Sequence, residues 1–423
     1  MRRPELLAPA GDFICLQAAL DAGADAVYFG LEGFNMRARS TVNFTQADLP
    51  EISRRCRERK VKAYMTLNAI VFENELADVE KLICAAKPYV DAFIVSDWGV
   101  ISLCKKHGVS VHVSTQMSAS NSMAVNFLKE QGAERVVLAR ECTLEEVATI
   151  VEKTGVEIET FVHGAQCVAV SGRCLMSQVI YGKSACRGAC HQPCRRRFRI
   201  QAVDFHQDAN GQPLHEPQAE FEITPHTVLS AKDLCSIGFV DRLMKAGIAS
   251  FKIEGRARNA DYVFVCVSAY RQAIEAVLAG TYTPELIQEL TTKVSTVFHR
   301  EFSKGMFYGR PGEDQLTSTE DSIATTVKRH CGVVVDYFLK AGIAQVKIQD
   351  HPLRPGDNVR ILGSKTGYLD FTVGELHRDD ERPAVAEKGT WVTFKAPRCR
   401  VGDKVFFVEQ ITRGAPMAGE RNA

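Results

Sequence analysis

AFIVSDWGVISLCKKHGVSVHVSTQMSASNSMAVNFLKEQGAERVVLA, residues 92–139, is the stretch on which the fold turns. Three short apolar runs, AFIVS (92–96), VSVHVST (109–115) and RVVLA (135–139), have the length of strands. Between them, 97–107 and 120–132 carry apolar residues at helical spacing, so the stretch reads strand, helix, strand, helix, strand. The unit repeats in both directions. Upstream come LLAPAG (6–11), with Asp12 as an N-cap and the stripe Phe13, Leu16, Ala19 and Leu20, then AVYFG (26–30), a helix over 47–59, VKAYMTLNA (61–69) and a helix over 75–88. Downstream follow a helix over 143–154, EIETFVHG (157–164), a cysteine-rich interruption, a helix near 237–246, ASFKIEG (249–255) and a long helix from about 259 to 279. Eight strands alternating with helices predict an α/β fold, a closed parallel (β/α)8 TIM-like barrel over residues 1–310 with a cysteine-rich insertion at 164–235.

In such a barrel the chemistry sits at the carboxyl ends of the strands. That rule nominates Asn35 and Arg37, Asn68, Asp97, Gln116, Arg140 and Glu141, His163, and Glu254 with Arg256. Residues 198–226 alternate apolar and polar around Ala209, Asn210 and Gly211, the pattern of an inserted β-hairpin. A helical stretch at 284–298 leads out of the barrel. From about 331 only strands remain, predicting a small antiparallel β-barrel domain over 325–415. GSKTG (363–367) lacks phosphate-loop spacing and lies among these strands, so it reads as a hairpin turn.

With 45% hydrophobic and 24% charged residues the chain can bury a core and is not of disordered composition. A formal charge of +1 excludes a global nucleic-acid field, so RNA binding requires a local patch. The amino end, MRRPELLAPAGDF, lacks the apolar core of a signal peptide, and no stretch reads as an apolar run of about 18 residues. The expectation is a cytoplasmic protein with no membrane partner.

Fourteen cysteines in a reducing compartment point away from disulfides. Most are scattered in apolar or helical surroundings, but Cys167, Cys174, Cys186, Cys190, Cys194 and Cys235 cluster. Spacing alone leaves open a zinc site, an iron–sulfur cluster and free thiols. HGAQCVAVSGRCLMS, with Glu159 and Phe161 before it, resembles the signature of the collagenase-like peptidase family U32. RGACHQPCRRRF, LSAKDLC, FNMRARSTVNFT and KIEGRARNADYV resemble further blocks of that family, and the carboxyl-terminal strands resemble its translation-factor-like module.

The resemblance lies nearest the family's RNA hydroxylation proteins, which implies tRNA wobble-uridine 5-hydroxylation, a [4Fe-4S] cluster and prephenate as co-substrate. Carried over position by position, it implies Cys167, Cys174, Cys190 and Cys235 as cluster ligands, with Cys194 the rival of Cys190. A related family member is the implied partner subunit. Alternatives within the resemblance are a peptidase, or an iron–sulfur hydroxylase component acting on rRNA or a quinone ring. The chain has neither HExxH nor GxSxG, and a cluster-bound thiolate is a poor nucleophile.

His163 and Glu254 are the candidate catalytic groups. Arg37, Arg140, Arg256 and Arg258 suit a dicarboxylate, since guanidinium forks pair with carboxylates. Asn35, Asn68 and Gln116 can hydrogen-bond a base. Arg195, Arg196 and Arg197, with Lys183, Arg187 and Arg199 and the aromatic Tyr181 and Phe198, form a basic run free of acids that suits RNA.

Overall fold

A computed structural model describes residues 2–411 apart from 37, 39–42, 197, 199–228, 310–314, 318 and 320. Arg37, Arg197 and nearly all of the expected hairpin at 198–226 thus lie outside the described residues. Strands β1 (Glu5–Pro9), β2 (Ala26–Phe29), β3 (Lys62–Leu67), β4 (Ala92–Val95), β5 (Val111–Val113), β6 (Ala133–Val137) and β7 (Glu157–Gly164) pair in sequence, all parallel. After a short β8 (Asp233–Cys235), β9 (Ser250–Ile253) pairs parallel with both β7 and β1 and closes the ring. Eight parallel strands therefore make the barrel. β8 runs antiparallel to the end of β7 at the rim, and β10 (Phe302–Ser303) extends it.

The outer layer holds α1 (Phe13–Asp21), α2 (Leu49–Glu58), α3 (Leu76–Ala86), α4 (Trp98–Lys106), α5 (Ser122–Glu130) and α6 (Leu144–Lys153). After α7 (Met176–Tyr181), in the cysteine-rich segment, come α8 (Val240–Lys245), α9 (Ala260–Ala279) and α10 (Pro284–Ser295). Local chemistry fixes the helix starts. Asp12 accepts from the Cys15 amide at 2.7 Å, Asp97 from Gly99 at 2.8 Å, and Thr143 and Glu146 cap each other's backbone. Asp97, nominated as a mouth residue, is thus an N-cap.

Helix α9 corrects the expectation about apolar runs. At 20 residues and a mean hydropathy of 1.3 over its best window, it is the one helix among the described residues long and apolar enough to cross a membrane. Its composition has a packing cause: Val263, Cys266, Val267, Tyr270 and Ile274 are fully buried in the barrel's core cluster.

The interior is not purely apolar. Side chains of barrel strands alternate inward and outward, and several inward positions on β6, β7 and β9 are charged. Glu159 is fully buried and accepts from Lys252 at 2.9 Å and from Arg135 at 3.3 Å. Arg135 also pairs with Glu157 at 2.7 Å and with Glu5. Burial alone raises the Glu159 carboxyl, but Lys252 and Arg135 outweigh it and hold it below the ordinary range.

The carboxyl-terminal strands β11 (Thr326–Phe338), β12 (Ile343–Ile348), β13 (Asn358–Gly363), β14 (Gly367–Thr372), β15 (Trp391–Lys395) and β16 (Lys404–Gln410) form an antiparallel sheet in the order β14-β13-β16-β11-β12-β15. The sheet has its own core, with Val334, Val346, Ile361, Phe394 and Val405. GSKTG links β13 to β14 with Gly363 opposite Gly367, the hairpin turn expected. The sheet rests on α1 and α9: Tyr368 stacks on Phe264 at 4.3 Å, and Asp261 takes Lys328 at 3.1 Å and Arg360 at 3.4 Å.

Arg135→Leu leaves Glu159 charged and short of a partner, and is expected to cost about 3–5 kcal/mol in denaturant unfolding. Because the folded carboxyl titrates below its unfolded value, its stabilisation is present above the unfolded glutamate pKa and is lost as pH falls through the folded one. Acid unfolding of the variant is therefore expected to begin at higher pH than that of the parent.

Candidate active site at the barrel mouth

A cavity of about 170 Å³ opens at the carboxyl ends of the strands. Tyr28, Thr66, Asn68 and Phe161 line it, and β9 and the residues beyond it contribute Lys252, Glu254 and Arg256 at every second position. Among the described lining residues, four cations, Arg140, Arg195, Lys252 and Arg256, face one carboxylate, Glu254. Such a surplus of positive charge in a confined space favours an anionic ligand.

Each polar group has a defined support. Arg140 lies over the Phe161 ring at 4.1 Å and donates to the Ala165 carbonyl at 2.6 Å, while its Nε is buried without a partner among the described residues. Burial pulls its pKa below the ordinary arginine value. Arg256 donates to Thr66 Oγ1 at 2.7 Å and Asn35 Oδ1 at 3.1 Å. Asn35 is fully buried and donates to the Leu31 carbonyl at 2.6 Å and the Gly33 carbonyl at 2.9 Å, so it positions Arg256 and shapes the β2 loop without lining the cavity. Asn68 donates to Ser114 at 3.1 Å and to Gln116 at 3.3 Å, forming a wall of amide and hydroxyl groups.

The cysteine-rich loop leaves β7 through Gly164, whose φ of +106° and contacts with Glu254 and Tyr262 leave no room for a side chain. It brings Cys167, Cys174, Cys190 and Cys194 to the cavity wall. Desolvation pushes the Cys167 thiol up, with Cys174 and Cys190 adding to the shift and Arg140 opposing it. Cys194 is raised for the same first reason, with Cys167, Cys190 and Cys174 contributing. Four thiols on one cavity wall are, in kind and number, the donor set of an iron–sulfur cluster or a zinc ion. Among the described residues no three His, Cys, Asp or Glu side chains stand close enough to hold a metal ion. Beside the mouth a second cleft, of about 420 Å³, is lined by Lys183 and Arg187. Arg187 lies on the exposed Phe72 ring at 4.3 Å, and Arg196 over Tyr181 at 5.3 Å.

The sequence profile described as peptidase family U32 matches residues 11–317. The chain belongs to peptidase family U32. A protein named collagenase from Porphyromonas gingivalis is 38% identical over 416 residues, covering 95% of this chain and 97% of the relative. The tRNA hydroxylation protein P1 of Bacillus subtilis is 33% identical, covering 90% and 88%. The 23S rRNA 5-hydroxycytidine synthase of Escherichia coli is 35% identical, covering 85% of this chain and 52% of the relative.

Several residues expected in the site of this U32 protein stand elsewhere. His163 does not line the cavity. The pairing of β7 with β9 slips between Phe161 and His163, so Phe161 lies opposite Lys252 and His163 opposite Ile253. The extra residue reverses the alternation and turns His163 outward, where it packs against Tyr262, Tyr270 and Phe302. Burial, with His299 and Arg258 nearby, brings its pKa down to about 3 and keeps it neutral. Cys235 lies opposite His163 in the ladder, turns the same way and does not line the cavity with the four thiols. Arg258 stacks on Phe298 at 3.6 Å outside the cavity lining. Arg195 does line the cavity, but it is buried and donates to the Gln166 carbonyl at 2.7 Å and to Ser230 at 3.1 Å, bracing the rim; of the described members of the triple-arginine run, Arg196 alone is exposed. Sequence reasoning missed Lys252, Tyr28 and Thr66. For Lys252 a signal existed in KIEGR, where it shares the inward parity of Glu254 and Arg256.

His163→Ala is expected to cost about 3 kcal/mol in denaturant unfolding, as for other large buried rings. Catalysis by His163 would instead show as lost turnover at unchanged stability. Because its imidazole is neutral far below the physiological range, no step in a pH–activity profile between about pH 5 and 8 is expected from this residue.

Proposed function

We propose that this U32 protein is an iron–sulfur RNA hydroxylase that converts the wobble uridine of tRNA to 5-hydroxyuridine with prephenate as co-substrate. The observation that carries the reading is the union, in one mouth cavity, of four thiols and four cations. The relatives named for tRNA hydroxylation and rRNA hydroxycytidine synthesis support it. Cys167, Cys174 and Cys190 would hold the cluster once drawn together, with Cys235 as fourth ligand by family match or Cys194 by its place on the cavity wall. When bound, such a cluster supplies one-electron chemistry beside the cavity.

The chain's own groups divide the remaining work. Arg140, Arg256 and Lys252 bind the carboxylates of prephenate, and Asn68 and Gln116 meet the edge of the uracil. A base entering the cavity must leave its stack, which costs least in a loop such as the anticodon's. The Tyr181–Arg196 pair beside the mouth offers stacking and phosphate contact to the flanking nucleotides, and the exposed Phe72 ring offers stacking, while Arg187 beneath it is held by Glu75 at 2.6 Å. A cytoplasmic setting and a related family member as partner subunit belong to the same reading.

The relative named collagenase raises the peptidase alternative. A thiol peptidase needs an imidazole beside its thiol, and the described lining residues include no histidine.

Protein purified without oxygen is expected to carry about four iron and four sulfide per chain, and tRNA from a deletion strain to lack 5-hydroxyuridine by nucleoside mass spectrometry. Zinc without sulfide would remove the redox reading; loss of an rRNA or quinone hydroxylation alone would move the substrate. Cys174→Ala is expected to abolish iron loading. Iron analysis of Cys194→Ala and Cys235→Ala identifies the fourth ligand, since the other variant keeps its cluster.

A further inference from the structure

The floor of the mouth cavity is a lysine. Lys252 lines the cavity although its side chain is only 5% exposed, and below it lies the fully buried Glu159 at 2.9 Å. The rings of Tyr28 and Phe161 flank the ammonium at 4.6 and 5.4 Å. An ammonium has three donors, and among the described residues its hydrogen bond goes to Glu159. Donor capacity therefore remains at the deepest point of the cavity. Arg140, also on the lining, has a buried Nε with no partner among the described residues. Two cations thus flank the Phe161 ring on the cavity lining, held by different elements: Lys252 by β9, Arg140 by the loop after β6.

We propose that Lys252 is the specificity-determining floor of a carboxylate subsite. A small dicarboxylate enters with one carboxylate on Lys252 and the other at Arg140. The inference rests on the proposed function only in requiring that such a co-substrate uses this cavity. A phosphodiester carries a nucleotide on either side and is too bulky for a floor this enclosed, so the anion that fits there is the end of a small molecule. Burial lowers the Lys252 pKa and Glu159 opposes that shift; Glu159 also aims the ammonium and is a positioning residue.

The test is calorimetric titration of the cluster-loaded protein with prephenate, and with malonate and inorganic phosphate as probes. Wild-type protein is expected to bind prephenate more tightly than phosphate. Lys252→Met weakens prephenate by about tenfold or more, the loss of one charge-assisted hydrogen bond, with iron content and tRNA binding unchanged. Lys252→Arg keeps the charge and retains most of the affinity, which a merely structural role would not produce. If Lys252→Met does not fold, Lys252→Met combined with Glu159→Gln removes the unpaired carboxylate and carries the same expectation. Equal prephenate affinity in wild type and Lys252→Met overturns the inference, as does phosphate binding as tightly as prephenate. Failure of prephenate to bind wild type, with 5-hydroxyuridine still dependent on the gene, overturns it together with the choice of co-substrate while leaving tRNA hydroxylation intact. Lysine-dependent prephenate binding in a protein whose deletion leaves tRNA unchanged supports it and removes that reading instead.

Discussion

A carboxylate with no access to water sits on the axis of the barrel, and much of the molecule follows from keeping it charged. An isolated buried carboxylate is so costly that it takes up a proton or acquires partners. Glu159 has two, Arg135 toward the amino ends of the strands and Lys252 toward the mouth. Arg135 in turn requires Glu157 and Glu5, and Glu5 accepts from the Tyr64 hydroxyl at 2.8 Å. The alternation of strand side chains thus carries a column of paired charges from one end of the barrel to the floor of the cavity. What the mouth can bind is set partly by groups that never meet the ligand.

The barrel was legible because its evidence is distributed. Each strand is a short apolar run, each helix has an amphipathic stripe or a capping residue, and the ends of α2 to α6 and of α9 fall within one or two residues of those expected. Periodicity also identified Asn68, Gln116, Arg140, Glu254 and Arg256 as cavity residues, since strand-end position is a local property. The residues that moved elsewhere were misplaced by events that leave no local trace. One additional residue between Phe161 and His163 turns the histidine to the helix side, and the antiparallel pairing of β8 carries Cys235 with it.

Charge runs were read less well than apolar ones, for a physical reason. Three consecutive arginines look alike in a sequence, yet Arg195 is buried as a brace of carbonyls and Arg196 covers an aromatic ring at the surface. Guanidinium groups serve equally as ligands of anions and as donors to backbone oxygens. Only the surrounding fold decides between the two uses. The same holds for α9, whose membrane-like composition is the consequence of a barrel on one side and α10 on another.

The carboxyl-terminal sheet touches the barrel at a particular seam. The ring is sealed where β1 meets β9, partners about 245 residues apart in the chain, and α1 and α9 are the helices that follow those two strands. Tyr368, Arg360 and Lys328 grip α9, and Gly367 lies against Gln17 and Asp21 of α1. The second module therefore works as a clasp across the join between the beginning and the end of the barrel. Long-range closure is the slow and entropically costly part of such a fold, and here a module that follows both closing strands in the chain fastens it. Folding of the second module and closure of the barrel are in this way tied together.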